Sequence, residues 1–127
     1  MLFRSDLVFG NMGDDTCYGG AGNDTMRGGQ NNDIIRGEDG DDMIFGDRGD
    51  DTIYGGAGND IFVIFTGAGL DRIEDFSAGD RVRIEDSSAY TLSQVGADTV
   101  IALSSGDKMV LVGVQQSALQ AGWIFSG

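Results

Sequence analysis

Aspartate recurs at every ninth position through the first half of the 127-residue chain. The series consists of Asp6, Asp15, Asp24, Asp33, Asp42, Asp51 and Asp60. Carboxylate oxygens are ligands for hard cations, and glycine-rich turns between them can aim backbone carbonyls at the same ion. Other chemistry has little support, because the chain has no histidine and a single cysteine. That composition removes the usual general base and any internal disulfide.

The charge balance excludes several classes of partner. Asp and Glu number 21 and Lys and Arg 8, which gives a formal net charge of −13. Nucleic acid and anionic membrane surfaces both need a basic patch, so we expect neither as a partner. The longest apolar stretch covers residues 109–114, so we also expect no membrane span.

The aspartates belong to a nine-residue repeat. Complete units fill residues 10–63, and a half unit at 5–9 precedes them in the same phase. Position one of each complete unit is glycine, position six is aspartate and position eight is apolar. A fixed period of this kind predicts a solenoid, in which a glycine-rich turn leads into a short strand with one buried side chain. A disordered acidic linker would have no reason to keep an apolar residue at every eighth position.

The units resemble the Gly-Gly-x-Gly-x-Asp-x-apolar-x nonapeptide of RTX proteins, secreted bacterial proteins with calcium-binding parallel β-rolls. The resemblance implies an all-β fold: a parallel β-roll with 18-residue rungs over residues 1–65, then a small antiparallel β cap over 66–127. It places about five Ca²⁺ ions between loops stacked 18 residues apart. One edge then stacks Asp6, Asp24, Asp42 and Asp60, and the other stacks Asp15, Asp33 and Asp51.

Backbone carbonyls of the turns complete these implied calcium sites. They lie near Gly10, Gly13, Gly20, Gly22, Gly29, Asn31, Gly40, Gly49, Gly56 and Gly58. Asn31 stands where the repeat has glycine but tolerates the left-handed backbone region, so we expect its site to survive, weakened. Glu38 suits that region poorly and predicts a distorted loop at 37–42. Without metal the stacked carboxylates repel each other, so we expect the metal-free repeat to be unfolded.

Residues 66–84 resemble the segment that closes RTX blocks. Asp71 could hold one more ion, while Asp75 and Asp80 either orient loops or are ordinary turn residues. Strands are predicted over 81–86, 90–96, 98–105 and 107–114 and form the cap, and one helical turn is predicted within 117–122. The tail is similar to the C-terminal ends of the family, where an uncleaved signal directs export through a type I secretion apparatus.

Position nine is predicted to face outward. Residues 18 apart would then form two rows, Phe9–Arg27–Phe45 and Tyr18–Arg36–Tyr54, with each arginine between two aromatic rings. These rows are the main feature of the outer surface that a partner could recognise.

The sequence favours a monomeric, non-catalytic, calcium-induced folding module of a larger secreted bacterial protein, which supports type I secretion and folds outside the cell. An EF-hand spacing is absent, and the many carboxylates suggest no glycosidase cleft. The alternative is a polysaccharide- or surface-binding module appended to an extracellular enzyme or adhesin.

Overall fold

A computed structural model describes residues 7–10, 12–85 and 89–126, which are nearly all β-structure. In chain order the strands are β1 (Leu7–Phe9), β2 (Thr16–Tyr18), β3 (Thr25–Arg27), β4 (Ile34–Arg36), β5 (Met43–Phe45), β6 (Thr52–Tyr54), β7 (Ile61–Ile64), β8 (Leu70–Ile73), β9 (Arg81–Ile84), β10 (Tyr90–Val95), β11 (Asp98–Leu103), β12 (Lys108–Leu111) and β13 (Ile124–Ser126). A 3-10 turn at Gln116–Ala118 falls within the tail, where the sequence predicts one helical turn.

Successive strands of the repeat alternate between two sheets and form a parallel solenoid of about four turns. The sheet orders are β1-β3-β5-β7-β9-β13 and β10-β11-β12-β8-β6-β4-β2. Met26 pairs with Val8 on one side and with Ile44 on the other, so each rung adds 18 residues. The predicted parallel β-roll is confirmed.

The core is a thin layer between the two sheets, filled by position eight. Side chains at this position have no exposed surface in five consecutive units, namely Met26, Ile35, Ile44, Ile53 and Phe62. The neighbours of Ile35 in β4 point outward and are exposed, because side chains alternate along a strand. The predicted role of position eight as the core position is confirmed.

Parallel pairing continues past the last nonapeptide. β8 pairs with β6 and β9 pairs with β7, and the offset grows to 20 residues, as in the pairing of Ile61 with Arg81. The sequence analysis places residues 81–86 among the cap strands, whereas β9 lies in the roll. The reason is that Val82 and Ile84 of β9 have no exposed surface and extend the same core.

An antiparallel group ends the molecule, as predicted. β10 pairs with β11 and β11 with β12, both antiparallel, and β12 lies parallel to β8. β13 adds to the other sheet beside β9. Each sheet of the roll therefore receives a strand from residues 108–126, which covers a sheet edge that would otherwise be open. The described part of the chain has no helix long and apolar enough to cross a membrane.

Candidate metal centres

The stacked loops bring the position-six aspartates into two columns, one along each edge of the roll. In each column the backbone N–H of one aspartate donates to Oδ1 of the aspartate 18 residues later, as from Asp24 to Asp42 at 2.8 Å. The other donations run from Asp15 to Asp33, from Asp33 to Asp51 and from Asp42 to Asp60, at 2.8, 2.8 and 2.9 Å. The columns contain the pairs that the family resemblance implies. Asp6 lies outside the described residues.

The second carboxylate oxygen, Oδ2, is buried in these columns without a hydrogen-bond donor. This holds for Asp15, Asp33, Asp42, Asp51, Asp60 and Asp71. Exposure of the Asp42 side chain is 2% and that of Asp60 is 0%. A buried anionic oxygen that no donor satisfies is strongly destabilising unless a positive charge compensates it. These oxygens therefore fit a bound cation.

Glycine at position one keeps open the space that these oxygens face. A Cβ atom on Gly28 would lie 2.7 Å from Asp33 Oδ2 and 2.8 Å from the carbonyl oxygen of Gly46. A Cβ atom on Gly10 would also collide with the carbonyl oxygen of Gly28, 18 residues later. Carboxylate and carbonyl oxygens of adjacent rungs therefore converge beside each of these glycines, and any side chain there would block them.

Backbone carbonyls must supply much of any coordination shell. Within residues 7–10, 12–85 and 89–126, no three acidic or cysteine side chains lie close enough together to hold a metal ion. Ca²⁺ takes six to eight oxygens, so two stacked aspartates need several carbonyls beside them. The turns that present carbonyls have positive φ at Gly13, Gly20, Gly22, Gly29, Asn31, Gly40, Gly49, Gly56 and Gly58.

Burial raises the pKa of the column aspartates, and neighbouring carboxylates raise it further. The pKa rises from an ordinary 3.8 to about 7 in Asp42 and to about 8 in Asp60. Burial and the adjacent Asp33 carboxylate likewise raise the pKa of Asp51 to about 7. Burial and the charge of Asp51 raise the pKa of Asp71 to about 9. Without a cation, the folded roll therefore resists ionisation of these groups at neutral pH.

The family described as RTX calcium-binding nonapeptide repeat (4 copies) matches residues 4–26 and 27–62. These residues are RTX calcium-binding repeats. The ion that fits the orphaned oxygens of the columns is therefore Ca²⁺, which RTX repeats bind. A comparison with curated protein sequences gave no significant match.

Solved structures share the fold. The AlgE6R2 subunit of the Azotobacter vinelandii mannuronan C5-epimerase has a TM-score of 0.65 and 24% identity, covering 96% of this chain and 89% of that one. For the AlgE6R3 subunit of the same enzyme the TM-score is 0.54 and the identity 26%, covering 98% and 75%. The extracellular lipase LipA from Serratia marcescens has a TM-score of 0.59 and 20% identity, covering 98% of this chain. The chain spans only 20% of that lipase.

Two departures from glycine in the RTX turns are accommodated. Asn31 and Glu38 adopt φ of 78° and 71°, in the left-handed region. Asn31 Oδ1 also accepts the N–H of Gly13 at 3.1 Å. The predicted distortion of loop 37–42 is wrong, because Glu38 takes the backbone conformation of the glycine it replaces. Gly37 N–H still donates to the carbonyl of Tyr54 at 2.9 Å.

Asp71 and Asp80 extend the two columns with a spacing of 20 residues. The N–H of Asp51 donates to Asp71 Oδ1 at 3.3 Å, and that of Asp60 donates to Asp80 Oδ1 at 2.9 Å. Asp71 shares the orphaned Oδ2 of the repeat aspartates. Asp80 differs, because its Oδ2 accepts the N–H of Ser77 at 2.9 Å. The metal-fitting features therefore end at Asp71 on one edge and at Asp60 on the other.

Asp75 lies outside both columns. Its two carboxylate oxygens accept the backbone N–H groups of Gly55 and Gly56, at 2.8 and 2.9 Å. In earlier rungs a backbone carbonyl occupies the matching place, as when Gly37 donates to Tyr54. Of the two roles left open in the sequence analysis, the geometry of Asp75 is that of a loop-orienting residue.

The first predicted row, Phe9–Arg27–Phe45, exists as a strand register. The guanidinium of Arg27 lies 3.8 Å from the ring centroid of Phe45 and donates to Asp47 Oδ1 at 2.8 Å. Among the described residues Arg27 has no stacking contact with Phe9, which is 52% exposed. Arg27 therefore stacks on one ring rather than between two, and binds a carboxylate as well.

The second row, Tyr18–Arg36–Tyr54, is similar. The guanidinium of Arg36 lies 4.2 Å from the ring centroid of Tyr54. In the described part of the chain it makes no such contact with Tyr18, whose side chain is 59% exposed. The prediction of an arginine on every ring pair holds for the rung above each arginine and is wrong for the rung below.

Position five is a set of functional residues that the sequence reasoning missed. Its side chains accept backbone hydrogen bonds between rungs, as Asn23 Oδ1 does from Asp41 N–H at 2.8 Å. The residues are Asp14, Asn23, Asn32, Asp41, Asp50 and Asn59. The signal was present in the sequence, since every complete unit has aspartate or asparagine at this position.

Proposed function

We propose that the chain is a non-catalytic module that folds when calcium binds, within a larger secreted bacterial protein. The observation that carries this proposal is the set of buried Oδ2 atoms without donors along both edges of the roll. Such a column of carboxylates opposes folding by its own charge and favours folding once a cation lies between the rungs. The switch from one state to the other is the function.

Each proposed ion lies between loops of adjacent rungs on the same edge. The position-six aspartates supply Oδ2, and the glycine-rich turns supply carbonyls. The described columns contain the pairs Asp24–Asp42, Asp42–Asp60, Asp15–Asp33, Asp33–Asp51 and Asp51–Asp71. Asp6 with Asp24 would form another pair, so we propose five ions in the repeat and one more at Asp71. Bound calcium supplies the positive charge that neutralises each carboxylate pair.

The fold explains how one chain could be exported unfolded and act folded. Cytosol is poor in calcium, so the columns repel and the chain stays extended enough to thread a type I secretion apparatus. Outside the cell, extracellular calcium modules bind at about 10⁻⁴–10⁻³ M, and binding to the folded state alone drives folding. A solved relative with this fold is an extracellular lipase, which supports a secreted location.

A calcium titration followed by far-UV circular dichroism tests the proposal. We expect a disordered spectrum in chelator at pH 7.5 and a cooperative change to a β spectrum near millimolar calcium. Magnesium is the matched control, because it prefers near-ideal octahedral geometry and keeps its waters. A full β spectrum in chelator, or an equal response to magnesium, would contradict the proposal.

A second candidate function is binding of an acidic polysaccharide on the outer face. It is favoured by the exposed ring of Tyr18 beside the Arg36–Tyr54 stack, and a relative with this fold belongs to an enzyme that epimerises mannuronan. With calcium present, titration with mannuronan should show binding that the Arg36→Gln variant weakens severalfold. Arg48→Gln is the control, since Arg48 is an exposed turn residue away from this row. Equal binding by both variants would reject the candidate.

A further inference from the structure

A second column of hydrogen bonds runs along each edge of the roll, outside the position-six column. It joins the position-five side chains, all of which are exposed. In each step Oδ1 of one residue accepts the backbone N–H of the residue one rung later. The steps are Asp14 from Asn32, Asn32 from Asp50, Asn23 from Asp41 and Asp41 from Asn59, at 3.0, 2.9, 2.8 and 2.8 Å.

The two columns run in opposite directions between the same pair of rungs. Asp41 N–H donates backward to Asn23 Oδ1, while Asp24 N–H donates forward to Asp42 Oδ1, both at 2.8 Å. Each loop is therefore tied to the next by a reciprocal pair of bonds. The inner bond uses a carboxylate whose other oxygen fits calcium, whereas the outer bond needs no metal.

The last rung keeps the pattern without a position-five acceptor of its own. Asp50 Oδ1 accepts the N–H of Leu70 at 3.0 Å, so the roll extends through its first non-repeat loop by the same bond. On the other edge the Asn59 side-chain oxygen lies directly against Gly79. A Cβ atom on Gly69 would lie 3.3 Å from Asp50 Oδ1, which shows how closely each acceptor abuts the next turn.

Charge alternates along both outer columns. One edge reads Asp14, Asn32, Asp50 and the other reads Asn23, Asp41, Asn59. An amide oxygen and a carboxylate oxygen are equally able to accept an N–H, so hydrogen bonding alone does not require alternation. Rungs are about 4.8 Å apart, so the alternation keeps like charges about two rungs apart instead of one. The inner columns have no such relief, because every member is aspartate.

We propose that position five is a positioning column that sets the register of the calcium loops without metal. Its asparagines keep that column from adding neighbouring charges to those of the inner column. This inference rests on the proposed calcium-induced folding, since its consequence is a lower calcium requirement. Two features are separable: the acceptor oxygen holds the loops in register, and the neutral asparagine limits repulsion.

The acceptor is tested by Asn32→Ala, with Gln30→Ala as the matched control. Asn32 accepts from Asp50, and Gln30 is an exposed residue of the same loop that has no place in the column. A single hydrogen bond changes a folding equilibrium by about two- to tenfold, so we expect the calcium midpoint of Asn32→Ala to rise at least twofold. The midpoint of Gln30→Ala should stay near that of the parent chain. Equal midpoints for the two variants would overturn the acceptor role.

Asp41 on the other edge gives a rescue test that a merely structural defect would not pass. Asp41→Asn keeps the oxygen that Asn59 N–H donates to, whereas Asp41→Ala removes it. We expect Asp41→Asn to fold at a calcium concentration close to that of the parent chain and Asp41→Ala to need at least twofold more. If both variants fold alike, the column does not position the loops.

The alternation is tested by Asn32→Asp against Gln30→Glu. Both variants add one negative charge to the same loop, but only Asn32→Asp places carboxylates on three successive rungs, between Asp14 and Asp50. At low salt we expect the midpoint of Asn32→Asp to exceed that of Gln30→Glu at least twofold. At 1 M KCl, where the Debye length is about 3 Å, the difference should vanish. Equal midpoints at low salt would contradict the alternation.

Failure of this inference differs visibly from failure of the proposed function. If the parent chain shows the same spectrum in chelator and in calcium, the proposed function is wrong. The column is then judged by thermal unfolding in chelator, where Asn32→Ala should melt below Gln30→Ala. Equal melting temperatures in that case would overturn the column as well.

Discussion

Single residues decide whether the roll tolerates its own charge. Position-six aspartates donate and accept along the column through N–H and Oδ1, and this leaves Oδ2 buried and without a donor in residues such as Asp42. The carboxyl group is therefore needed twice, once for register and once for the ion. Asparagine could perform only the first task, because it keeps an acceptor and loses the charge.

Replacing Asp42 with asparagine should raise the calcium midpoint of folding about tenfold or more. The reason is that interactions with a charged partner contribute about 1.5–3 kcal/mol, and Asp42 lies between Asp24 and Asp60 in two proposed sites. Asp39→Asn removes the same formal charge from an exposed position of the same loop. Circular dichroism titrations of both variants check this, and a similar shift in both would count against Asp42 as a ligand.

Acid should substitute for calcium in the metal-free chain. The folded-state pKa values of Asp42, Asp60 and Asp71 are raised from 3.8 to about 7, 8 and 9. Groups with raised values bind protons more tightly in the folded state, so their stabilisation is complete below pH 4 and is lost as pH rises through 7 to 9. Metal-stripped chain should therefore show more β-structure by circular dichroism at pH 4 than at pH 9. More structure at pH 9 would contradict the burial of these carboxylates.

Replacing Glu38 with glycine should stabilise the calcium-loaded chain by about 1 kcal/mol. Glu38 has φ of 71°, a region that costs a residue with a Cβ about 1–2 kcal/mol and glycine little. Glu38→Ala is the control, since it loses the carboxylate but keeps the Cβ. Urea unfolding at saturating calcium measures both free energies, and an equal change in the two variants would attribute the effect to charge.

The strands are three-residue elements whose middle residue makes the core. In β4, Ile35 has no exposed surface, whereas its neighbour Ile34 is 41% exposed. A solenoid with one buried side chain per strand has no second layer that could compensate for a cavity. Stability at this scale therefore depends on position eight.

Ile35→Ala should lower the free energy of unfolding at saturating calcium by about 2–5 kcal/mol, because it leaves a cavity in a closed core. Ile34→Ala removes the same atoms from the adjacent exposed position and should cost about 0.5 kcal/mol or less. Urea unfolding of the two variants provides the comparison. Similar losses would mean that the burial pattern of β4 is incorrect.

The elements also show what the sequence could predict. Uniform spacing fixes positions six and eight in every rung, so the columns and the core follow from the repeat alone. The position-five bonds were equally present in the spacing, but asparagine and aspartate in turns have a local explanation that hides a contact 18 residues away. Beyond Phe65 the repeat ends, so nothing in the sequence indicated that β12 would pair with β8.

At the scale of the whole molecule, the roll is a stack in which each rung depends on its neighbours. Sheet pairing, the outer column and the position-eight core all join consecutive rungs, and none of them removes the net charge of −13. Repeat arrays of this type gain stability from interfaces between neighbours, so ion binding at one interface favours the next. The account therefore predicts cooperative folding with several calcium ions per chain.

The measurement that tests this most directly is the number of calcium ions bound per folded chain, determined by equilibrium dialysis with circular dichroism on the same samples. The account predicts that β-structure and bound calcium rise together and reach about six ions, one for each stacked pair of aspartates including Asp71. A chain that is fully folded with no calcium bound, or that folds with a single ion, would contradict it.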